Sequence, residues 1–290
     1  MNIDPESISK VVDKYTKAII PVPILGNPCQ MDRIMEVAKK HNLIVIEDVA
    51  QSCGSKFKGQ HSGTFGHINC FSLQINKILT TGDGGAVSTN DPKLYERAVR
   101  YHDQGMFREK EGFLSKDSAD EVFIGQNYRM SEITGAIALE QVKKLDFIIN
   151  SMRKIKYSIK EQIKDIKGLG FRRIIDEEGD AGNALIMLLP DAEIAKKFRE
   201  ALNGEGIPTG LLYNGEPIYM LPQIFNKKTA EGGKFPFDQF DEEIVYTKDM
   251  CPKAWDIMPR SATINISPAF TEQDVEDVVK AIRKVAKHIL

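Results

Sequence analysis

Two apolar runs with a helical pattern between them restrict this chain more than any other feature. Lys17-Ala18-Ile19-Ile20-Pro21-Val22 and Leu43-Ile44-Val45-Ile46-Glu47 are short and nearly continuous. Such runs fit strands buried on both faces of a parallel sheet. Between them Gly26-Asn27-Pro28 breaks the chain. From Met31 to Lys40 an apolar stripe at Met31, Ile34, Met35, Val37 and Ala38 predicts a helix, closed by His41-Asn42. Strand, helix and strand within about 30 residues make a βαβ unit with a right-handed crossover. Asp48 falls just past the carboxyl end of the second strand, the edge at which open α/β sheets bind ligands.

The same reading extends along the chain. Residues 4–14 predict a short helix, with Asp4 as N-cap and Pro5 at the first helical position. Asn69–Leu73 and Gly85–Ser88 read as strands, and Asp91-Pro92 opens a helix to about His102. Residues 103–125 are polar and lack periodicity, so they read as a surface loop. Ser131 caps a long helical pattern to about Lys164, with a break near Asn150. Beyond Gly168 the texture changes. Ala184–Leu189 and Ser261–Ile266 read as strands, Ala192–Leu202 and Thr271–Ile289 as helices, and 207–240 as a loop rich in Gly, Pro and aromatics. The expectation is a large domain over 1–150 and a smaller α+β domain over 151–290.

Composition removes several functions. There are 39 basic and 41 acidic residues for a net charge of −2, so no global field favours nucleic acid or an anionic membrane. The basic stretch Arg153-Lys154, Lys156, Lys160, Lys164, Lys167 has helical spacing and reads as a solvated face. The N-terminus lacks a signal-peptide core, and no apolar run approaches the ~20 residues of a membrane-spanning helix. Cys29, Cys53, Cys70 and Cys251 form no CxxC pair, and the histidines at 41, 61, 67, 102 and 288 show neither HxH nor HExxH spacing. No metal site is expected, and the chain reads as a cytoplasmic protein with reduced thiols.

Chemistry concentrates in Cys70-Phe71-Ser72-Leu73-Gln74-Ile75-Asn76-Lys77-Ile78-Leu79-Thr80-Thr81-Gly82-Asp83-Gly84-Gly85-Ala86-Val87. This segment sets one lysine between a hydroxyl-bearing strand and a glycine-rich turn. A lysine held there can form a Schiff base with an aldehyde cofactor, and pyridoxal 5′-phosphate is the cofactor that needs it. Alone, Lys77 reads more readily as a surface lysine in a polar loop, and its setting reverses that reading. Asp48, 29 residues earlier, suits a carboxylate that keeps a pyridine nitrogen protonated, or else a plain turn aspartate. Ser72 suits a phosphate donor or a cross-strand serine. Gly82, Gly84 and Gly85 permit close backbone approach but do not form a GxGxxG dinucleotide fingerprint.

Together these segments resemble the DegT/DnrJ/EryC1/StrS family of sugar aminotransferases. The resemblance rests on Val45-Ile46-Glu47-Asp48-Val49-Ala50-Gln51-Ser52-Cys53-Gly54, on Gly63-Thr64-Phe65-Gly66, on the lysine segment, and on Gly125-Gln126-Asn127-Tyr128-Arg129-Met130-Ser131-Glu132. Cys251-Pro252-Lys253-Ala254 is a weaker match. It implies an α/β aspartate-aminotransferase-like fold (fold type I), with a mostly parallel sheet, helices on both faces and a smaller α+β C-terminal domain. By this resemblance Lys77 is the Schiff-base lysine and Asp48 the partner of the ring nitrogen. Gln51 lies near the phenolic oxygen, and Ser72 donates to the phosphate. Asn127 reaches the phosphate held in a neighbouring subunit, which implies a homodimer with shared sites. The implied reaction moves an amino group from glutamate or glutamine to a keto-sugar, often nucleotide-linked.

Two departures accompany the resemblance. Pro23 stands where the family usually has a histidine. The family also carries roughly 100 further residues ahead of the segment matching Asn2–Ile20, whose absence would leave a sheet edge and a core face uncovered. The large domain is therefore expected to be N-terminally incomplete. A competing expectation is an inactive subunit, or one half of a split enzyme that needs a separate N-terminal chain. Sugar dehydration is a further alternative, although family dehydratases carry histidine at the position of Lys77.

Overall fold

The computed structural model describes residues 1–107, 122–230, 232–233, 235–239 and 244–290. The chain divides into two compact units. One comprises Asn2–Lys154 with Ile174–Asn183, the other Met1, Ile155–Arg173 and Ala184–Leu290.

The first unit begins with α1 (Pro5–Val11), whose first turn is closed by the Asp4 side chain accepting from the Glu6 N–H. The helix is shorter than the sequence predicts. Asp13 Oδ1 accepts from the N–H groups of Tyr15 and Thr16 and from the Thr16 hydroxyl, which bends the chain into a turn instead. β1 (Ala18–Ile19) leads to α2 (Met31–His41), which Asn42 ends in the left-handed conformation. β2 (Ile44–Asp48) follows, with Asp48 as its last residue rather than the first one past it. A small hairpin, β3 (Lys56–Phe57) and β4 (Gln60–His61), precedes β5 (Ile68–Ser72) and β6 (Gly85–Ser88). The sheet order is β1-β2-β5-β6, with the first three strands parallel and β6 antiparallel to β5. The βαβ expectation therefore holds.

One core of this unit gathers Ile8, Ile19, Cys29, Met31, Ile34, Ala38, Leu43, Val45 and Phe57. Ile34 and Val45 are fully buried. Each such aliphatic side chain contributes about 1.5–3 kcal/mol. This packing, more than helix propensity, seats α2 beside β2.

α3 (Pro92–His102) is capped by Asp91, and α4 (Glu132–Val142) by Ser131. α5 (Leu145–Ile163) starts after a break at Lys143-Lys144, not near Asn150. Asn150 is exposed inside the helix, and the buried stripe Ile149, Met152, Ile155, Ile159, Ile163 runs past it at helical spacing. Lys156 departs from the expected solvated face, being only 3% exposed. Most of the predicted 103–125 loop (residues 108–121) lies outside the described residues.

The second unit holds an antiparallel sheet, β7 (Gly170–Phe171), β8 (Ala184–Leu188) and β9 (Ser261–Asn265), in that order. α6 (Ala192–Gly204) and α9 (Glu272–Ile289) belong to it, α9 starting with a capping box between Thr271 and Asp274. Phe198, Leu202, Leu185 and Ile282 are nearly inaccessible and form its interior. The predicted 207–240 loop includes short 3-10 turns at 212–215 and 218–220 and α7 (Pro222–Phe225). α8 (Pro252–Ile257) precedes β9. Among the described residues, no helix is long and apolar enough to cross a membrane.

Candidate active site at the carboxyl edge of the sheet

Because β1, β2 and β5 run parallel, their carboxyl ends share one edge. The Asp48 N–H donates to Pro21 O at 3.1 Å, tying the end of β2 to the chain that leaves β1. Asp48 and Cys70 are direct neighbours across β2 and β5, so Asp48, Cys70 and Ser72 project from one face. The Cys70 thiol reports this proximity. Burial pushes its pKa up, and the Asp48 carboxylate adds to the rise. Ser72 pairs with Gly85, which returns β6 from the same edge.

The lysine segment is the loop between those two residues. Its base is closed by the Leu73 N–H to Gly84 O (2.9 Å), the Thr81 N–H to Leu73 O (2.9 Å) and the Thr80 hydroxyl to Leu73 O (3.0 Å). Leu73 and Leu79 are buried beneath it, at 7% and 2% exposure. Lys77 sits half-buried in a turn in which its N–H donates to Gln74 O at 3.0 Å. Gly84 has φ +143, where an added Cβ would lie 3.0 Å from Thr81 Oγ1, so the return of the loop needs glycine there.

Each predicted site residue has a definite place. Asp48 Oδ1 accepts from the Ala50 N–H at 3.1 Å. Among the described residues nothing hydrogen-bonds its Oδ2. Gln51 follows the end of β2, and its Oε1 accepts from the Leu25 N–H at 3.3 Å, so its amide NH2 is the end that can donate. Leu25 itself is left-handed (φ 46, ψ 54), an uncommon state for a branched residue, and borders Gln51 at this edge. Ser72 Oγ accepts only a long bond, 3.4 Å, from the Gln74 N–H. Asp48, Gln51, Ser72 and Lys77 thus belong to one edge of one sheet. Asn127 does not. It is exposed, pairs with Asp103 in an isolated antiparallel bridge, and its Oδ1 accepts from the Arg129 N–H at 3.4 Å. Arg129 in turn pairs with the buried Asp103 carboxylate.

Sequence reasoning passed over Glu47. Only 1% exposed, it accepts from three backbone donors: Gly63 N–H at Oε2 (2.8 Å), and Phe65 and Gly66 N–H at Oε1 (2.7 Å each). Its signal was an acid directly following an apolar run, at the alternation position of the buried Val45, since a buried charge requires partners.

A carboxylate, a hydroxyl, an amide and a lysine at the carboxyl edge of a parallel sheet match the pattern of the sequence motifs, and the family's sequence profile matches residues 1–283. The chain belongs to the DegT/DnrJ/EryC1/StrS aminotransferase family. It is 42% identical over 223 residues to the GDP-perosamine synthase of Escherichia coli O157:H7, a match covering 76% of this chain and 57% of that protein. It is 32% identical over 217 residues to the GDP-4-keto-6-deoxy-D-mannose 3-dehydratase of Escherichia coli O55:H7, covering 71% and 56%. In fold it superimposes on the aminotransferase from Psychrobacter cryohalolentis with a TM-score of 0.82 at 27% identity, covering 99% of this chain and 73% of that one. The expected α/β aminotransferase architecture is therefore that of this DegT/DnrJ/EryC1/StrS member. The chain spans less than two thirds of both curated relatives, and these matches do not bear out the further expectation of an absent N-terminal segment.

Proposed function

We propose that this chain acts in pyridoxal-phosphate-dependent amino transfer from glutamate or glutamine to a keto-sugar, often nucleotide-linked. The observation that carries the reading is the gathering of Asp48, Ser72 and Lys77 at one sheet edge, with Asp48 and Ser72 on the same face. The donor set fits the cofactor. A carboxylate oxygen left without a protein partner among the described residues suits a protonated ring nitrogen, a strand-end hydroxyl beside the Gln74 N–H suits a phosphate, and an amine on a short closed loop suits an aldehyde. When bound, pyridoxal phosphate supplies an electron sink for the bonds of the amino-bearing carbon. Lys77 Nζ would hold the cofactor's aldehyde and would serve as the general base that carries protons. Asp48 would keep a proton on the ring nitrogen. The Gln51 amide would donate toward the phenolic oxygen, and Ser72 Oγ would donate to the phosphate. A lysine at position 77, and not a histidine, favours amino transfer over dehydration.

The assembly reading is a homodimer with sites shared through the exposed Asn127. Supporting it, α4 buries none of its residues, and Ile133, Leu139 and Val142 are 77%, 61% and 55% exposed. A partner chain of another sequence is the second reading. It is favoured by β6, which is an edge strand exposed along Gly85–Val87 and open to strand addition. Four free cysteines agree with a cytoplasmic setting.

The test is an absorbance titration with pyridoxal phosphate, borohydride reduction and peptide mapping. A visible band trapped on Lys77, and lost on adding glutamate or glutamine, is expected. Label scattered over surface lysines would overturn the reading. Light scattering of the same samples reads the assembly, and a monomer that still binds at Lys77 would remove the shared-site reading.

A further inference from the structure

Strand alternation separates two rows at the junction of β2 and β5. Asp48, Cys70 and Ser72 face the site, while Glu47, Asn69 and Phe71 project from the back of the sheet. The immediate predecessors of Asp48 and Ser72 are thus both back-face residues, and both meet the same object, the turn 63–66. Glu47 grips that turn through the N–H groups of Gly63, Phe65 and Gly66. The tip of the Phe71 ring abuts it. A Cβ on Gly63, where φ is +88, would lie 2.3 Å from the Phe71 ring. A Cβ on Gly66 would lie 2.7 Å from Asn69 Oδ1 and 3.0 Å from Val45 O. Ser88 closes the arrangement from β6. Its hydroxyl donates to Gly63 O at 3.0 Å, and Asn69 Nδ2 donates to Ser88 O and Oγ at 3.1 Å each.

We propose that Glu47 is a positioning residue: by clamping the 63–66 turn behind the sheet, it sets the spacing between Asp48 and Ser72, the anchors for opposite ends of one rigid cofactor. The inference rests on the pyridoxal-phosphate reading of the site. A flat ligand held at its ring nitrogen and at its phosphate is sensitive to the separation of the two anchors. A ligand lacking the phosphate is not.

The experiment compares pyridoxal 5′-phosphate with pyridoxal, each titrated by absorbance against wild type, Glu47→Gln, Ser88→Ala and the control Ile34→Val. Glu47→Gln keeps the shape of the side chain but turns an NH2 toward the Gly63 N–H, leaving two donors face to face. Ser88→Ala loosens the same turn more gently, and it serves if Glu47→Gln folds poorly. Ile34→Val removes a methyl group from the core of the same unit without touching any hydrogen bond that holds the turn. Loss of one well-made charged hydrogen bond from the clamp is expected to weaken pyridoxal phosphate about tenfold in Glu47→Gln, with pyridoxal changed less than about twofold. Ser88→Ala should shift the ratio in the same direction by less. Ile34→Val should lower the melting temperature and leave the ratio of the two affinities at its wild-type value. Equal weakening of both ligands, or no weakening, in both turn variants would show that Glu47 only stabilises the fold and would overturn the proposal. A wild-type chain that traps neither ligand on Lys77 would refute the cofactor reading itself, and this inference with it.

Discussion

Replacing Leu79 by alanine should uncouple the lysine loop from the unit that carries it. The loop has two apolar anchors, Leu73 and Leu79, and Leu79 is the more deeply buried at 2% exposure. Its base is closed by three hydrogen bonds, Leu73 N–H to Gly84 O, Thr81 N–H to Leu73 O and the Thr80 hydroxyl to Leu73 O. At about 0.5–1.5 kcal/mol each, those bonds together are worth roughly 1.5–4.5 kcal/mol. A buried Leu→Ala change costs about 2–5 kcal/mol, counting the cavity. The apolar anchor is thus as large as the whole polar closure, and Ile75, Asn76, Gly82 and Asp83 at the tip are exposed and add no buried apolar contact. The cost should therefore appear as local opening of 74–83 before it appears as global unfolding. Two kcal/mol corresponds to roughly a 30-fold loss in an affinity that requires the closed loop. The assay is the pyridoxal-phosphate titration, run beside limited proteolysis and thermal unfolding. Expected are weakened trapping on Lys77, new cleavage between Gln74 and Asp83, and a small change in melting temperature. Wild-type affinity together with a melting temperature lowered by the full amount would refute the argument, because Leu79 would then be a core residue that the loop does not depend on.

Three further expectations follow from local geometry. Gly26→Ala should destabilise the first unit by about 1–3 kcal/mol, read by denaturant unfolding, since φ is +82 and the added Cβ would lie 2.1 Å from Asn183 Oδ1. Alkylation at pH 8 followed by mass spectrometry should find the exposed Cys251 modified first and Cys29 last, because burial, reinforced by Glu47, pushes the Cys29 thiol up to about 12. Thr271→Ala should cost about 1 kcal/mol through loss of the α9 cap. It should also flatten the acid limb of the stability profile. The Thr271 hydroxyl and N–H hold the Asp274 carboxyl below its ordinary value, so the stability it adds is present near neutrality and is lost as pH falls below about 4. An acid limb unchanged in Thr271→Ala would assign that loss to other carboxylates.

What could be read from the sequence, and what could not, follows the range of the forces involved. The βαβ unit was legible because strands of a parallel sheet write themselves locally as apolar runs, although the expected burial on both faces is not met, since Ile20 and Ile44 are exposed and β2 fully buries only Val45 and Glu47. The lysine loop was legible because its glycines and hydroxyls lie within one segment. The break between α4 and α5 was misplaced because Asn150 looks like an interruption, whereas the stripe on either side of it continues at the helical period. Lys156 was misread for the related reason that composition does not reveal which turn of a basic helix faces inward.

Glu47 and Asp48 make the contrast sharpest. They are adjacent acids at the end of one strand, and composition treats them alike. Alternation sends them to opposite faces. Behind the sheet Glu47 is met by three backbone amides 16 to 19 residues away, donors that no side chain announces in the sequence. In front, Asp48 is met by one amide from its own turn, and its second oxygen takes no protein partner among the described residues. A carboxylate that served only the fold would be expected to be answered as Glu47 is, because leaving a half-buried charge partly unpaired costs free energy. The difference in how the two acids are answered is therefore itself an argument that Asp48 is kept for a ligand, and it is one the pair of letters Glu-Asp could not supply.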